Sequence, residues 1–294
     1  MMRSGFCAVI GAPNAGKSTL VNILAGAKIS IVSHKVQTTR ARIRAIAISG
    51  ETQIVFVDTP GIFAPRRKLD EAMVEGAWAG AGEADCIVLL VDAATGLTDD
   101  VQRIIDGLKK QRRHATLALN KVDLIKRETL FEIAEKFNAA FPFDETFMIS
   151  ALSGSGVEKL KEKIAARMPE GAWLYPEDQT ADVSLRFMAA EITREKIYER
   201  LHQELPYSST VETEAWQEQK NGSVRIEQTI YVQRDSQKSI VLGEKGQQIK
   251  TIGELARKDM EIQFERRVHL FLFVKVRENW MEDPERLRAM GLKE

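Results

Sequence analysis

Residues 11–18 read GAPNAGKS and lie between an apolar run and a segment with helical periodicity. The stretch matches the pattern GxxxxGK[ST], whose glycines let backbone N–H groups converge on phosphates at the start of a helix. The alternative is a glycine-rich strand-to-helix turn with a solvated lysine, and the complete motif in its required strand-to-helix context favours the phosphate loop. The pattern therefore predicts a phosphate-binding loop, made of Gly11, Ala12, Pro13, Asn14, Ala15, Gly16, Lys17, Ser18 and Thr19.

The surrounding half of the chain alternates short apolar runs with amphipathic stretches. Such alternation predicts a mostly parallel sheet with helices on both faces, an α/β domain over residues 1–168. The strands are predicted at 6–11, 53–58, 85–92, 115–120 and 146–150, with an edge strand at 42–50. The helices are predicted at 17–26, 70–82, 98–111, 128–140 and 156–167.

Residues 58–62 read DTPGI and end a predicted strand, where ligands bind in open α/β sheets. Asp58 is expected to hold Mg²⁺ through water, and the N–H of Gly61 to contact a γ-phosphate; Thr59 and Pro60 lie between them. Many GTP-hydrolysing proteins place a glutamine after this glycine to orient the attacking water. Ile62 cannot do so, and the attacking water must therefore be oriented by the switch backbone, by a second water or by a group supplied in trans.

Two later motifs predict which base is bound. The sequence NKVD at 120–123 ends another strand, and a carboxylate at Asp123 can accept two hydrogen bonds from guanine that adenine cannot offer. Asn120 fits guanine N7 or the neighbouring loops, and the stem of Lys121 can cover the base. A backbone N–H in the SAL segment suits guanine O6; its residues are Ser150, Ala151 and Leu152. The four motifs together predict a P-loop GTPase domain that binds GTP and GDP.

Between the first helix and DTPG lies KVQTTR at 35–40, where a nucleotide switch is expected. One threonine of such a switch binds Mg²⁺ when a γ-phosphate is present and is released after hydrolysis. We favour Thr39, with Thr38 as the alternative, because spacing alone does not decide between them. The predicted metal ligands are thus Ser18, Thr39 and Asp58, and the predicted catalytic residues are Lys17, Thr39 and Gly61.

A segment rich in Pro, Gly and acidic residues at 169–182 predicts a linker, and the pattern then changes. A helix at 185–205 precedes two strands at 208–218 and 223–233, joined by Asn221-Gly222, a strong hairpin signal. Then follow a helix at 236–242, the sequence GEKG at 243–246, a helix from 247 to about 264 and a strand at 268–276. This order is that of an α+β type II KH domain, predicted over 183–278, with a C-terminal tail at 279–294 to which we assign no role.

The GEKG sequence is a candidate RNA clamp. Glycines between two helices let the backbone approach a sugar-phosphate chain, and a KH module clamps about four nucleotides there. The predicted RNA-binding residues are Ile240, Gly243, Glu244, Lys245, Gly246, Ile249 and Lys250, with Val241 also in the floor of the groove and Arg257 and Lys258 on its wall. A tight connection with core aliphatics is the alternative for an isolated GxxG.

Composition limits which classes of protein the chain can belong to. The 294 residues contain 42 basic and 42 acidic side chains, so composition alone gives no basic stripe and the RNA prediction depends on the motif. No run of 18 apolar residues is present, and we expect no signal peptide and a cytosolic protein. Cys7 and Cys86 lie in separate apolar runs, which predicts two unrelated buried thiols.

QTTR, DTPGI, NKVD, VLGEKGQQIKTIG and KVRENW, in this order and spacing, resemble the Era family of bacterial ribosome-assembly GTPases. The resemblance implies a KH domain that holds the 3′ end of 16S rRNA during maturation of the small (30S) ribosomal subunit. It also implies a cytoplasmic, partly membrane-associated protein, which we expect to be a monomer. Ribosome GTPases with tandem GTP-binding domains are excluded because the chain has one GKS.

Two points stay open beside this resemblance. Asn14 stands where related GTPases with an apolar residue after DTPG use an asparagine to bind K⁺, although it could instead only hydrogen-bond within its loop. The KH-like domain could bind a protein or a membrane partner and not RNA.

Overall fold

The computed structural model describes residues 1–33, 35, 38–202, 204–290 and 292 and divides into two units. The first unit contains Met1–Ser30, Thr39–Asp182 and the residues from Leu287 onward. The second contains Ile31–Thr38 and Val183–Arg286. Within the described part of the chain, no helix combines the length and apolar character that a membrane span requires.

The first unit is built on a six-stranded sheet in the order β2-β3-β1-β4-β5-β6. Its neighbouring strands are parallel except for the antiparallel β2–β3 pair. The strands are β1 (Arg3–Ile10), β2 (Ile43–Ser49), β3 (Thr52–Asp58), β4 (Cys86–Asp92), β5 (Thr116–Asn120) and β6 (Thr146–Met148). The helices are α1 (Lys17–Ala25), α2 (Lys68–Glu83), α3 (Asp99–Lys110), α4 (Arg127–Ala140) and α5 (Val157–Arg167).

Burial explains the apolar runs of these strands. All seven residues of β3 and all five of β5 are buried, as expected where helices cover both faces of a parallel sheet. Strands β1, β3 and β5 are parallel, so their carboxyl ends, which lead into GAPNAGKS, DTPGI and NKVD, meet at one edge of the sheet. The predicted α/β class and its strand positions are confirmed.

Residues 169–182, predicted as a linker, pack against the edge of the first sheet. Ile46 donates its backbone N–H to Thr180 (2.8 Å), and the side chain of Gln53 donates to the carbonyl of Tyr175 (2.8 Å). This segment therefore covers the edge of the sheet at β2. Composition suggests a linker because it does not reveal pairing with strands more than 100 residues away.

The two cysteines are neighbours, contrary to the prediction that they are unrelated. Cys7 is opposite Cys86 in the parallel β1–β4 register, and both are free thiols. Burial, followed by the hydrogen bond with Cys86, raises the pKa of Cys7 well above its ordinary value. Cys86 is only half-buried, so the predicted burial holds fully for Cys7 alone.

The second unit has the element order predicted for a KH domain. Its sheet runs β7-β8-β9, with β7–β8 antiparallel and β8–β9 parallel. The elements are α6 (Leu185–Arg200), β7 (Thr210–Glu218), β8 (Val224–Val232), α7 (Asp235–Leu242), α8 (Gln247–Phe264) and β9 (Val268–Val276). Helix α6 ends at Arg200, earlier than the predicted 205, because Leu201 adopts an extended backbone (φ −103°, ψ 152°).

The C-terminal tail is folded. The buried indole of Trp280 donates to the carbonyl of Ser208 (3.0 Å) within the second unit. A short helix, α9 (Pro284–Ala289), follows. In the first unit, a Cβ added at Gly76 of α2 would lie 3.1 Å from the side chain of buried Leu292. A side chain at position 76 would therefore require Leu292 to shift by a few tenths of an ångström.

Candidate functional site

The phosphate loop directs Lys17 into its own interior. Gly16 adopts a left-handed backbone (φ 97°) just before α1, which allows the sharp entry into the helix. Lys17 is buried, and its ammonium donates to the carbonyls of Gly11 (3.1 Å) and Ala12 (2.9 Å). Burial lowers the pKa of Lys17 to about 8, and the charge of Asp58 opposes this shift. A positive charge thus lies inside a cradle of backbone groups at a helix N-terminus, the arrangement that binds phosphates.

Three oxygens beside the loop form a suitable set for a hard divalent cation. The hydroxyl of Ser18 lies 2.7 Å from Thr39 Oγ1 and donates to Asp58 Oδ2 (2.9 Å). The second oxygen of Asp58, Oδ1, is buried without a hydrogen-bond partner among the described residues. Burial raises the pKa of Asp58, although Lys17 and neighbouring hydroxyls oppose the shift. The residues fit Mg²⁺, because it takes oxygen ligands and would stabilise the buried carboxylate.

The first switch contributes Thr39 to this set. The hydroxyl of Thr38 instead donates to the carbonyl of Lys35 (2.8 Å). The geometry thus separates the two threonines that the sequence could not. Val36 and Gln37, which also belong to KVQTTR, lie outside the described residues.

The DTPGI segment contacts the phosphate loop through its backbone. Gly61 approaches Pro13 so closely that an added Cβ would lie 3.0 Å from it, and Ile62 donates its N–H to the carbonyl of Gly11 (3.0 Å). The side chain of Ile62 is fully buried in the hydrophobic core. The hydroxyl of Thr59 donates to the carbonyl of Val9 (2.9 Å). The side chains of Thr59 and Ile62 are therefore structural, and only their backbones are available to a nucleotide.

Asn120 joins two loops of the predicted base site. Its buried amide donates to the carbonyl of Ala15 (2.8 Å) and accepts from the N–H of Ala151 (2.8 Å). Of the two roles expected from the sequence, contact with neighbouring loops is the one that the structure shows. A Cβ at Gly16 would lie 2.4 Å from the amide nitrogen of Asn120. Gly16 thus serves both the turn and this contact.

The other base-site residues are arranged around Lys121. It adopts a left-handed backbone (φ 63°), and its ammonium binds the carbonyl of Asn14 (2.9 Å) and the carboxylate of Asp92 (2.6 Å). Asp123 follows in a short 3₁₀ turn and is exposed. In the SAL segment, Ser150 and Ala151 are buried whereas Leu152 is 83% exposed.

Sequence reasoning missed Asp92. The residue ends the run DCIVLLVD, and such a strand-terminal carboxylate beside the other motifs is the signal that could have indicated it.

In the second unit, the GEKG turn has an unusual backbone. Gly243, Lys245 and Gly246 all have positive φ (72°, 51° and 78°), in a turn that links α7 to α8. A Cβ at Gly243 would lie 2.6 Å from the Cβ of Gln248, whereas a Cβ at Gly246 would meet no atom within 4 Å in the part of the chain that the structure describes. The turn is therefore closely packed at its first glycine and open at its last.

The predicted RNA contacts around this turn divide into exposed and buried residues. Ile240 is 57% exposed, and Glu244, Lys245 and Lys250 are exposed as well. Ile249 is half-buried and packs against the core of the unit, to which Val241 belongs fully. Val241 is completely buried, so its predicted place in the groove floor is wrong.

The two basic residues predicted on the groove wall differ in their surroundings. The guanidinium of Arg257 donates to Glu261 (3.0 Å), whereas Lys258 is exposed. Lys258 is therefore the more accessible of the two.

Comparison with known proteins identifies the family. A family model described as a 50S ribosome-binding GTPase matches residues 6–121, and a KH domain model matches residues 204–281. The GTPase Era of Rhizobium meliloti (strain 1021) is 62% identical, over 99% of this chain and 93% of its own length. The chain belongs to the Era family. GTPase Era of Brucella suis biovar 1 is 60% identical over the same shares of both chains.

Solved Era structures share the whole fold. A single-residue variant of Era from Aquifex aeolicus, bound to GDP·AlF₄⁻, is 36% identical and superposes with a TM-score of 0.94 over 100% of both chains. A second Era structure, in complex with MgGDPNP and nucleotides 1506–1542 of 16S ribosomal RNA, gives the same values. The predicted P-loop GTPase and KH domains are confirmed, and as an Era GTPase this protein binds GTP and GDP and hydrolyses GTP.

Proposed function

We propose that this GTPase binds the 3′ end of 16S rRNA through its GEKG turn and acts in maturation of the small ribosomal subunit. The observation that carries the proposal is the open backbone at Gly246, next to exposed Lys245 and Lys250. A solved Era relative with the same fold is in complex with a fragment of that RNA. The resemblance extends the proposal to a cytoplasmic monomer with a peripheral contact at the inner membrane.

The physical basis is the approach of a phosphate chain to a bare backbone. No atom of the described residues stands within 4 Å of the position where a side chain of Gly246 would begin, so a nucleotide can reach the turn there. The exposed face of Ile240 offers an apolar surface to a base, and Lys245 and Lys250 offer charge to phosphates. Glu244 is also exposed and opposes part of that charge.

The test compares Gly246→Asp with Gly246→Asn, using an RNA of nucleotides 1506–1542 and binding measured at fixed salt. Both residues tolerate the left-handed backbone at φ 78°, and they differ in charge but hardly in size. We expect Gly246→Asp to weaken binding about tenfold or more relative to Gly246→Asn, because a carboxylate at the turn repels phosphate. Gly243→Asp is unsuitable, because it would clash with Gln248 whether or not RNA binds there.

Hydrolysis of GTP without RNA serves as the control and should stay within about twofold for both variants. Equal RNA affinities for Gly246→Asp and Gly246→Asn would place the clamp elsewhere. RNA binding absent even from the unsubstituted protein would favour the alternative, a KH domain for a protein or membrane partner.

In the nucleotide site, we propose that Lys17 binds the β- and γ-phosphates and that the N–H of Gly61 contacts the γ-phosphate. Ser18, Thr39 and Asp58 would hold Mg²⁺, which when bound neutralises charge on the phosphates. Asp123 recognises guanine, while Asn120 holds the two flanking loops. The core position of the Ile62 side chain agrees with an attacking water that is positioned by the switch backbone, by a second water or by a group supplied in trans.

We further propose that Asn14 binds K⁺ during hydrolysis. Asn14 is exposed in the phosphate loop and has a left-handed backbone (φ 63°), a conformation that favours asparagine even without a ligand. Asn14→Gly separates the two explanations, since glycine keeps this backbone and removes the side-chain oxygen. We expect faster GTP turnover in KCl than in NaCl at equal ionic strength, by about tenfold, and no difference in Asn14→Gly. Equal turnover of the unsubstituted protein in both salts would refute the K⁺ site.

A further inference from the structure

Helix α6 is buried on nearly all sides. All eleven residues from Met188 to Tyr198 are buried, whereas a helix at a protein surface buries one stripe. The buried run includes four charged side chains, Glu191, Arg194, Glu195 and Lys196. Buried charges require partners. The second unit also includes Ile31–Thr38, which overlaps the predicted switch at 35–40 and is called the switch segment below. Helix α6 binds residues of this segment.

The central contact is made by Arg194. Its guanidinium binds both oxygens of Glu191 (2.7 and 2.5 Å) and donates to the carbonyl of Thr38 (2.5 Å). Burial would lower the pKa of Arg194, but the Glu191 carboxylate raises it above its ordinary value, so the group remains charged. The two hydrogen bonds to Glu191 fix the plane of the guanidinium and therefore the direction in which it donates to the carbonyl of Thr38.

Two more contacts hold the same segment. Glu195 accepts the backbone N–H of Val32 (2.9 Å). The ammonium of Lys35 donates to the carbonyls of Tyr198 and Leu201, at the C-terminal end of α6. A cation at that end satisfies terminal carbonyls and complements the helix dipole. The switch segment is thus hydrogen-bonded to α6 and to the residue that follows it at three positions, Val32, Lys35 and Thr38.

The Thr38 carbonyl that Arg194 binds belongs to the peptide bond that joins Thr38 to Thr39, a residue of the proposed Mg²⁺ site. Thr39 follows Thr38 directly, and in the first unit its hydroxyl lies 2.7 Å from that of Ser18. Consecutive Cα atoms are about 3.8 Å apart, so a fixed Thr38 carbonyl restricts where the Thr39 side chain can point. We propose that Arg194 is a positioning residue for GTP hydrolysis, which holds Thr39 toward the metal site through Thr38. This inference rests on the proposed role of Thr39 as a Mg²⁺ ligand.

The main test is Arg194→Lys. Lysine keeps the positive charge beside Glu191 but lacks the fork that serves Glu191 and Thr38 together. We expect the single-turnover rate of GTP hydrolysis to fall about tenfold, and affinity for MgGDPNP to fall with it. Affinity for GDP should stay within about twofold, because GDP has no γ-phosphate and does not require Thr39 at the metal. A purely structural effect would weaken GDP and MgGDPNP binding alike.

Arg186→Lys is the matched control. Arg186 is another arginine of α6, and it donates to the backbone carbonyls of Thr213 and Glu214. Among the described residues, it makes no hydrogen bond to the switch segment. Its replacement should leave hydrolysis and both nucleotide affinities unchanged. Lys35→Met provides a second variant that leaves α6 itself intact. Like Arg194→Lys, it should lower the hydrolysis rate, by about threefold.

Thr39→Ala distinguishes failure of this inference from failure of the proposed site. If Thr39→Ala leaves hydrolysis and MgGDPNP affinity unchanged, the Thr39 assignment itself is wrong. If Thr39→Ala is impaired but Arg194→Lys and Lys35→Met are both normal, only the positioning role is wrong. In the double variant Thr39→Ala/Arg194→Lys, the effect of Arg194→Lys should disappear, because the residue that it positions is absent.

Discussion

Lys17→Ala is expected to weaken binding of GTP and GDP by a factor on the order of 10² to 10⁴. The lost ammonium would make charge-assisted hydrogen bonds to two phosphates, each of which contributes about 1.5–3 kcal/mol. The loop carbonyls of Gly11 and Ala12 also lose the donor that they share in the structure. Fluorescence titration with a labelled guanine nucleotide measures the change, and retained RNA affinity would show that the KH unit is folded.

Lys109→Ala is the control for this variant. Lys109 lies in the last turn of α3, in the same unit, and is exposed. It should bind nucleotides as the unsubstituted protein does. Nucleotide affinity of Lys17→Ala within about threefold of the original would mean that the phosphates bind outside this loop.

Asp123→Asn should reduce GTP affinity by a factor on the order of 10² and should improve affinity for xanthosine triphosphate. The carboxylate can accept hydrogen bonds from both N1–H and the 2-amino group of guanine. An amide has one acceptor fewer, and its NH₂ group would face a hydrogen-bond donor of guanine. Xanthine carries an oxygen in place of the 2-amino group, so it suits the amide. Competition between the two triphosphates for one labelled nucleotide gives both affinities in a single experiment.

Glu128→Gln is the matched control, because it removes another exposed carboxylate nearby, in the first turn of α4. It should keep the original preference for GTP. A GTP preference unchanged in Asp123→Asn would contradict the assignment of the base site, even if total affinity fell.

The features that the sequence predicts well are those set by local backbone chemistry. Gly16 and Gly246 stand where the chain requires positive φ, so the motifs around them predict turn geometry as well as position. The parallel strands read as continuous apolar runs because helices bury both of their faces. The motif positions at the carboxyl ends of those strands follow from the same pattern.

The features that the sequence does not predict depend on distant partners. Gln53 and Tyr175 bind each other across more than 100 residues, so the segment around Tyr175 has a composition typical of a linker. Val241 is apolar like Ile240, and only the packing of α7 makes one buried and the other exposed. The role of Arg194 depends on the switch segment reaching α6, which no local pattern encodes.

The division of the chain between the two units has a consequence for biosynthesis. Leu287 and Leu292 are buried in the first unit, yet they follow the 104 residues of 183–286. At about 5–20 residues per second, the ribosome needs about 5–20 s to synthesise that stretch. During this time a nascent first unit lacks the leucine that packs on Gly76, while Ile31–Thr38 has been made long before the helix to which it binds. The first unit therefore completes its folding only after the second unit has been synthesised. The second unit in turn includes a segment that is synthesised before most of the first. Residues 1–182 expressed alone would lack the buried Leu287 and Leu292.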